Sequence, residues 1–148
     1  MASKLDAVCL ALASLWQSVS GPRVVDGPQV NAESLPEWLF VGFDGADPGE
    51  GNEGASADQE WMAFARIKQE QGEITCAAVV VSGEADIPAV RARADDIISD
   101  AEGLLRADPT LGGLVMQAGL SRQIFFPMQT DKGAKARVVF TVTYQAQL

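Results

Sequence analysis

The chain has 148 residues and a formal net charge of −9, from 11 basic and 20 acidic side chains. That length suits one domain with its own core, and so acidic a surface repels nucleic acid and anionic membrane, leaving room at most for a pore that DNA slides past. Histidine is absent, which removes the usual general base, the commonest zinc ligand and any Ser–His or Cys–His nucleophile pair.

In chain order, residues 4–19 predict the first helix. Ser3 followed by Asp6 resembles a capping box. Leu5, Val8, Cys9, Leu12, Leu15, Trp16 and Val19 share one helical face. Gly21-Pro22 ends the helix. Its apolar run, 7–16, is too short to span a bilayer, and Asp6 interrupts the basic stretch of a signal peptide. A soluble protein made in the cytoplasm is therefore expected. Cys9, on the apolar stripe, and Cys76, in an apolar strand, read as buried free thiols.

A short extended piece at 23–26 leads to a turn at Gly27-Pro28. Residues 37–43 form a strand candidate ending at Asp44-Gly45. The next stretch, 44–58, carries five acids, no base and no large apolar side chain. Nothing in it offsets ordering entropy, so a flexible, exposed, acidic Gly-rich loop is expected. Two strands then read as a hairpin, 61–68 and 73–82, turning at Gln71-Gly72. The continuous apolar run 77–81 predicts a central strand covered on both faces.

The second helix is expected over 88–107. Ile87, Val90, Ala94, Ile97, Ile98, Ala101, Leu104 and Leu105 make its apolar face. Pro88 suits the first turn, and Asp108-Pro109 stops the helix. Strands at 114–126 and 134–147 close the chain, joined through Thr130-Asp131-Lys132-Gly133. In the last strand Val138, Phe140, Val142 and Tyr144 alternate with Arg137, Val139, Thr141 and Thr143. The expected fold is α+β: one mainly antiparallel (mixed) β-sheet with two α-helices packed on one face, in a single domain over 1–148. Leu12, Leu15, Trp16, Val79, Val81, Ile97, Ile98, Leu104, Leu105, Phe140 and Val142 are the expected core.

The chemical motifs are weak. Residues 49–54 match G-x-G-x-x-G, but no helix-periodic pattern begins there, and Glu50 and Glu53 would repel a phosphate. Asp44, Asp47, Glu50, Glu53 and Asp58 could face a calcium ion, yet Ala46 stands where an EF-hand loop needs a ligand. Asp95, Asp96, Asp100 and Glu102 occupy the solvent face of the second helix, with no nucleophile or base beside them. Trp16, Trp38 and Trp61 are expected in the core or at subunit contacts. Basic side chains concentrate at Arg91, Arg93 and Arg106, and again at Lys132, Lys135 and Arg137. Neither a cofactor nor a metal is expected, and an assembly module fits these residues better than an enzyme.

The order of these segments carries a resemblance. Val24-Val25-Asp26-Gly27-Pro28 follows the amphipathic first helix. Trp38-Leu39-Phe40-Val41-Gly42-Phe43-Asp44 runs into the acidic insertion. Glu60-Trp61, Ile74-Thr75-Cys76 and Arg91-Ala92-Arg93-Ala94 come next, then Asp108-Pro109-Thr110-Leu111-Gly112-Gly113 and the final strand. Over residues 3–147 the pattern resembles the tail terminator proteins of long-tailed, siphovirus-like bacteriophages. The resemblance implies a structural virion protein without catalytic residues, at the head-proximal end of the tail. Such a protein forms a ring, commonly a hexamer, on the last ring of tail tube protein. The ring stops tube polymerisation and joins the tail to a head completion or connector protein, with DNA only as passing cargo and no membrane contact. Another head–tail joining or tail-completion protein, or a bacterial ligand-binding domain, is the alternative. The candidate subunit or partner contacts are Arg91, Arg93, Lys132, Lys135 and Arg137, set against Asp44, Asp47, Glu50 and Glu53.

Overall fold

The computed structural model describes residues 2–28, 35–46, 53–62, 66–131 and 133–148. The first helix, α1 (Leu5–Trp16), buries Val8, Leu12, Ala13 and Trp16. Ser3 Oγ accepts from the Leu5 N–H at 3.0 Å rather than closing a capping box, and Lys4 is the cap residue. Three strands follow: β1 (Arg23–Asp26), β2 (Glu37–Val41) and β3 (Ala55–Trp61). The long strand β4 (Lys68–Ser82) leads into the second helix, α2 (Ile87–Ala107), and a hairpin of β5 (Gln117–Thr130) and β6 (Gly133–Gln147) ends the chain.

The strands make one mixed sheet in the order β1-β2-β4-β6-β5, with β3 paired to the first half of β4. Only the β1–β2 pair is parallel. Alternation along β6 explains the layering. Ala134, Ala136, Val138, Phe140, Val142, Tyr144 and Ala146 are all buried, while the residues between them are only partly covered or exposed. The buried set meets Ile74, Cys76, Ala78 and Val80 of β4, Leu39 and Val41 of β2, and the apolar faces of both helices. Both helices therefore lie on one face, as the sequence predicts. The indole of Trp16 spans them: its Nε1 donates to the Ala101 carbonyl at 3.0 Å, and its ring packs 5.7 Å from Phe140.

α2 keeps its predicted bounds to within a residue. Asp86 caps it by accepting from the Ala89 N–H at 3.2 Å. Its exit is a built turn. Leu111, Gly112 and Gly113 have φ of 50°, 70° and 89° in succession. Asp108 Oδ1 accepts from the Gly112 N–H and Thr110 Oγ1 from the Gly113 N–H. Glycine suits two of the three left-handed positions, and burial of the Leu111 side chain offsets strain at the third. Among the described residues no helix is long and apolar enough to cross a membrane.

Three expectations are corrected. The hairpin does not turn at Gln71-Gly72. Both lie inside β4, which pairs Trp61 with Lys68 and Ala55 with Ile74. The β3–β4 pairing instead runs on to Met62 and Ile67, where the Met62 N–H donates to the Ile67 carbonyl at 2.8 Å. Gly72 reads as a turn residue in the sequence but serves packing: a Cβ there would overlap the ring of Tyr144. Residues 55–58, assigned to the acidic loop, open β3. Their small and polar side chains still pair, because a ladder needs backbone groups more than apolar ones. Val81 is 44% exposed rather than core. Its side chain lies on the helix-free face in the same row as Lys135, past the cluster of Trp38, Phe40, Ala77 and Val79. Leu15 and Leu104 pack against the core but remain partly exposed.

Candidate functional site

The face of the sheet without helices is divided into two halves. Near the start of β4 it is polar. Asp58, Gln71, Gln145 and Gln117 stand in one row across β3, β4, β6 and β5. With Glu73 and Thr143 in the next row they floor a groove of about 470 Å³. Among the described residues its lining carries amides and carboxylates and no cation, so the local field is negative.

Near the end of β4 the same face is apolar. Trp38 and Phe40 stack at 5.5 Å over Ala77 and Val79, and Phe43 sets its ring edge-on to Phe40 at 5.0 Å. The segment after β2 covers part of this cluster, bringing Gly45 against Val79 and Ala77. Beyond that cover the apolar surface continues uncovered. Ile124, Phe126 and Met128 of β5 are 37%, 41% and 49% exposed, and Val81 lies in the same row as Lys135. Ile124, Phe126 and Met128 follow one another at every second position of β5, so their exposed side chains adjoin on this face.

Cations border the patch. The Arg137 guanidinium lies 4.2 Å over the Phe126 ring, and its Nη1 donates to the Asp44 carbonyl at 2.8 Å. Lys135 lies beside it in a groove of about 230 Å³ with Met128 and Ala46. The structure thus brings together Asp44, Lys135 and Arg137 of the candidate contacts, within one chain. Glu53 is exposed just before β3. Asp47, Glu50 and Lys132 lie outside the described residues.

Arg91 and Arg93 are elsewhere, on α2 over the opposite face. They do not act alike. Arg93 makes a two-pronged ion pair with Glu37, Nε at 2.6 Å and Nη2 at 3.0 Å, and Nη2 also donates to the Ser20 carbonyl. It ties α2 to β2 and to the exit of α1. The hydrogen bond to Glu37 raises its already high pKa further, against a smaller opposing effect of burial. Arg93 is thus committed inside the chain rather than offered to a neighbour. Arg91 is exposed and lies 5.7 Å over Phe125. Arg106 pairs with Glu102 one helical turn away. Among the described residues the two basic groups thus lie on opposite faces, Arg91 and Arg93 on α2 and Lys135 and Arg137 on the helix-free face.

The other chemical candidates resolve as structure. Gly54 of the G-x-G-x-x-G match sits where a Cβ would strike the Gly42 carbonyl, so glycine there serves close backbone approach. No group of three or more potential metal-ligating side chains occurs among the described residues. Cys9 and Cys76 are free thiols. Burial, with smaller contributions from Asp26 and Asp6, pushes Cys9 up to about 11, and burial pushes Cys76 higher still. Neither forms a thiolate readily near neutral pH. Trp16 and Trp38 are buried as expected, whereas Trp61 is 67% exposed with Lys68 Nζ 5.0 Å over its ring.

One buried polar centre escaped the sequence. Glu70 has no exposed surface. Its Oε1 accepts from Tyr144 Oη at 2.7 Å and from the Lys4 N–H at 3.0 Å, and its Oε2 accepts from Gln59 Nε2 at 2.9 Å. The start of α1, β3, β4 and β6 thus meet on one carboxylate. Burial alone would raise its pKa, but the hydrogen bonds from Tyr144, Ser3, Gln59 and Lys4 outweigh burial and hold it below its ordinary value. In sequence Glu70 reads as one more charge in the polar run 68–73. No protein-family model matches the chain, and a search of curated proteins finds no relative.

Proposed function

We propose that this chain is a tail terminator of a long-tailed bacteriophage. In this reading it is a structural protein that forms a ring, hexameric in number, on the end of the tail tube. The ring halts addition of tube protein and offers a seat to the head completion or connector protein, and DNA passes through it. The observation that carries the reading is the exposed apolar patch of Ile124, Phe126, Met128 and Val81 beside Lys135 and Arg137. A surface of this composition suits protein contact. The order of segments along the chain, including the turn at 108–113, supports the family.

Net charge supports the passage of DNA. With −9 per chain, a ring wall repels the phosphate backbone, and no counterions are released to drive binding. The acid and amide rows at Asp58, Gln71, Gln145 and Glu73 would serve as such a wall. In this reading the protein is assembled in the host cytoplasm and ends in the virion.

Deletion of the gene tests the reading. The expected result is tails of irregular length that fail to join heads, restored by the wild-type gene supplied in trans. The variant Phe126→Ser with Met128→Ser should stay folded yet fail to restore. Tails of uniform length joined to heads in the deletion strain would overturn the assignment.

A further inference from the structure

Among the described residues the sheet has three edge strands: β1, which is four residues long and carries both Arg23 and Asp26, and the longer β3 and β5, which differ in character. On one side lies β5, paired only to β6. The Ala118 N–H donates to the Pro109 carbonyl, so the turn after α2 covers the beginning of its outer edge. From 121 to 130 no such cover is present among the described residues. This stretch, SRQIFFPMQT, carries Arg122 and no carboxylate. Pro127 lacks an N–H, as edge strands tolerate, and limits further pairing to the residues before it. On the other side lies β3, paired among the described residues only to β4. Its seven residues carry Asp58 and Glu60 and no cation, with exposed Glu53 just before them and exposed Trp61 at their end.

A long edge strand with exposed apolar side chains recruits another strand, and natural proteins protect or occupy it. Of the two longer edges one is acidic and the other cationic. They lie on opposite sides of one sheet, so they cannot meet within a chain. Like edges of two copies would set Asp58 and Glu60 against the same acids, or Arg122 against Arg122. Unlike edges set acid against base.

We propose that copies of this chain join head to tail by pairing β3 of one subunit with residues 121–126 of β5 in the next. The interface is heterologous: each copy offers one edge and receives the other. Main-chain hydrogen bonds and the apolar side chains Ile124 and Phe126 hold the joint on the helix-free face, and Asp58 and Glu60 facing Arg122 choose its register and its partner edge. A sheet extended in this way runs unbroken round the ring. The inference rests on the reading of the chain as a ring subunit and specifies how that ring is built.

Charge exchange tests it on the full chain, by mass and sedimentation across concentrations up to millimolar. Arg122→Glu alone, and Asp58→Arg with Glu60→Arg, should each abolish the ring while far-ultraviolet circular dichroism stays native. Combining all three changes should restore it. A second measurement needs no charge change. Asp58 and Ile124 lie on the same face of the sheet, so Asp58→Cys with Ile124→Cys in one chain should give an oxidised ladder of dimers and higher species. Mixing the two single variants should stop at dimers, and Ser14→Cys on α1 should give none. A wild-type ring that persists in both charge variants, or that gives no ladder, overturns the edge pairing while leaving the ring reading intact. Wild-type protein that remains monomeric throughout, with no ladder, overturns both.

Discussion

The hydroxyl of Tyr144 donates a 2.7 Å hydrogen bond to the carboxylate of Glu70, and both residues are buried. Tyr144 is three residues from the last position of β6 and Glu70 is near the first of β4, so their contact locks the ends of the two longest strands. The carboxylate also holds the first turn of α1 through the Lys4 N–H. Glu70→Ala would take this acceptor from the Tyr144, Ser3, Gln59 and Lys4 donors. A loss of about 1–3 kcal/mol is expected, in the range for unsatisfied buried groups, measured by urea unfolding.

Acid should act through the same carboxylate. Because the folded-state pKa of Glu70 lies below its unfolded value, the stabilisation is present above the ordinary carboxylate range and is lost as pH falls through the folded value. Tyr144 behaves in the opposite sense. Burial first, and then Glu70, raise its pKa, so its contribution is present below its ordinary value of about 10 and is lost as pH rises through the folded value. Stability measured against pH should therefore fall at both extremes. Glu70→Gln should flatten the acid limb, and an acid limb unchanged in that variant would refute the role of Glu70.

Gly72→Ala should destabilise the protein without changing its fold class. The added methyl meets the Tyr144 ring rather than a flexible chain end. Overpacking of this kind costs about 1–3 kcal/mol. Pairing it with Tyr144→Ala should recover part of the loss, since the two effects share one space.

Leu105→Ala should cost about 2–5 kcal/mol, as for a fully buried leucine that leaves a cavity, because Leu105 is 1% exposed in the layer between α2 and the sheet. Leu104, adjacent in sequence but only partly covered, should cost less. Thermal unfolding of the two variants side by side would reverse this order if α2 were rotated from its described position.

Arg93→Glu should unfold more readily than wild type, because it places a second carboxylate against Glu37 where a two-pronged ion pair now stands. Arg91→Glu should leave stability within about 0.5 kcal/mol, as is usual for exposed positions. Any assembly defect of a variant reversing both would therefore mix folding with contact, and Arg91 alone is the informative change.

Much of the fold is legible in the sequence because periodicity reports burial directly. The apolar face of α2, its start at Pro88 and the alternation of β6 each depend on neighbours within a few residues, so residue pattern alone places them. The same holds for the absence of histidine and the acidic balance, which exclude chemistries without reference to any contact. What the tertiary structure alone decided depends on partners far away in the chain. Gly72 is a turn residue by type and a strand residue in fact, because Tyr144, 72 positions later, needs its space. Glu70 is an ordinary charge by type and the centre of a buried network in fact, because α1, β3 and β6 converge on it. Arg91 and Arg93 look equivalent at i and i+2, yet only one faces Glu37, since neighbouring positions on a helix point in different directions. Strand pairing behaves likewise. The acids of β3 read as loop because their ladder partners lie on β4, and a backbone ladder leaves no mark in the side chains that form it.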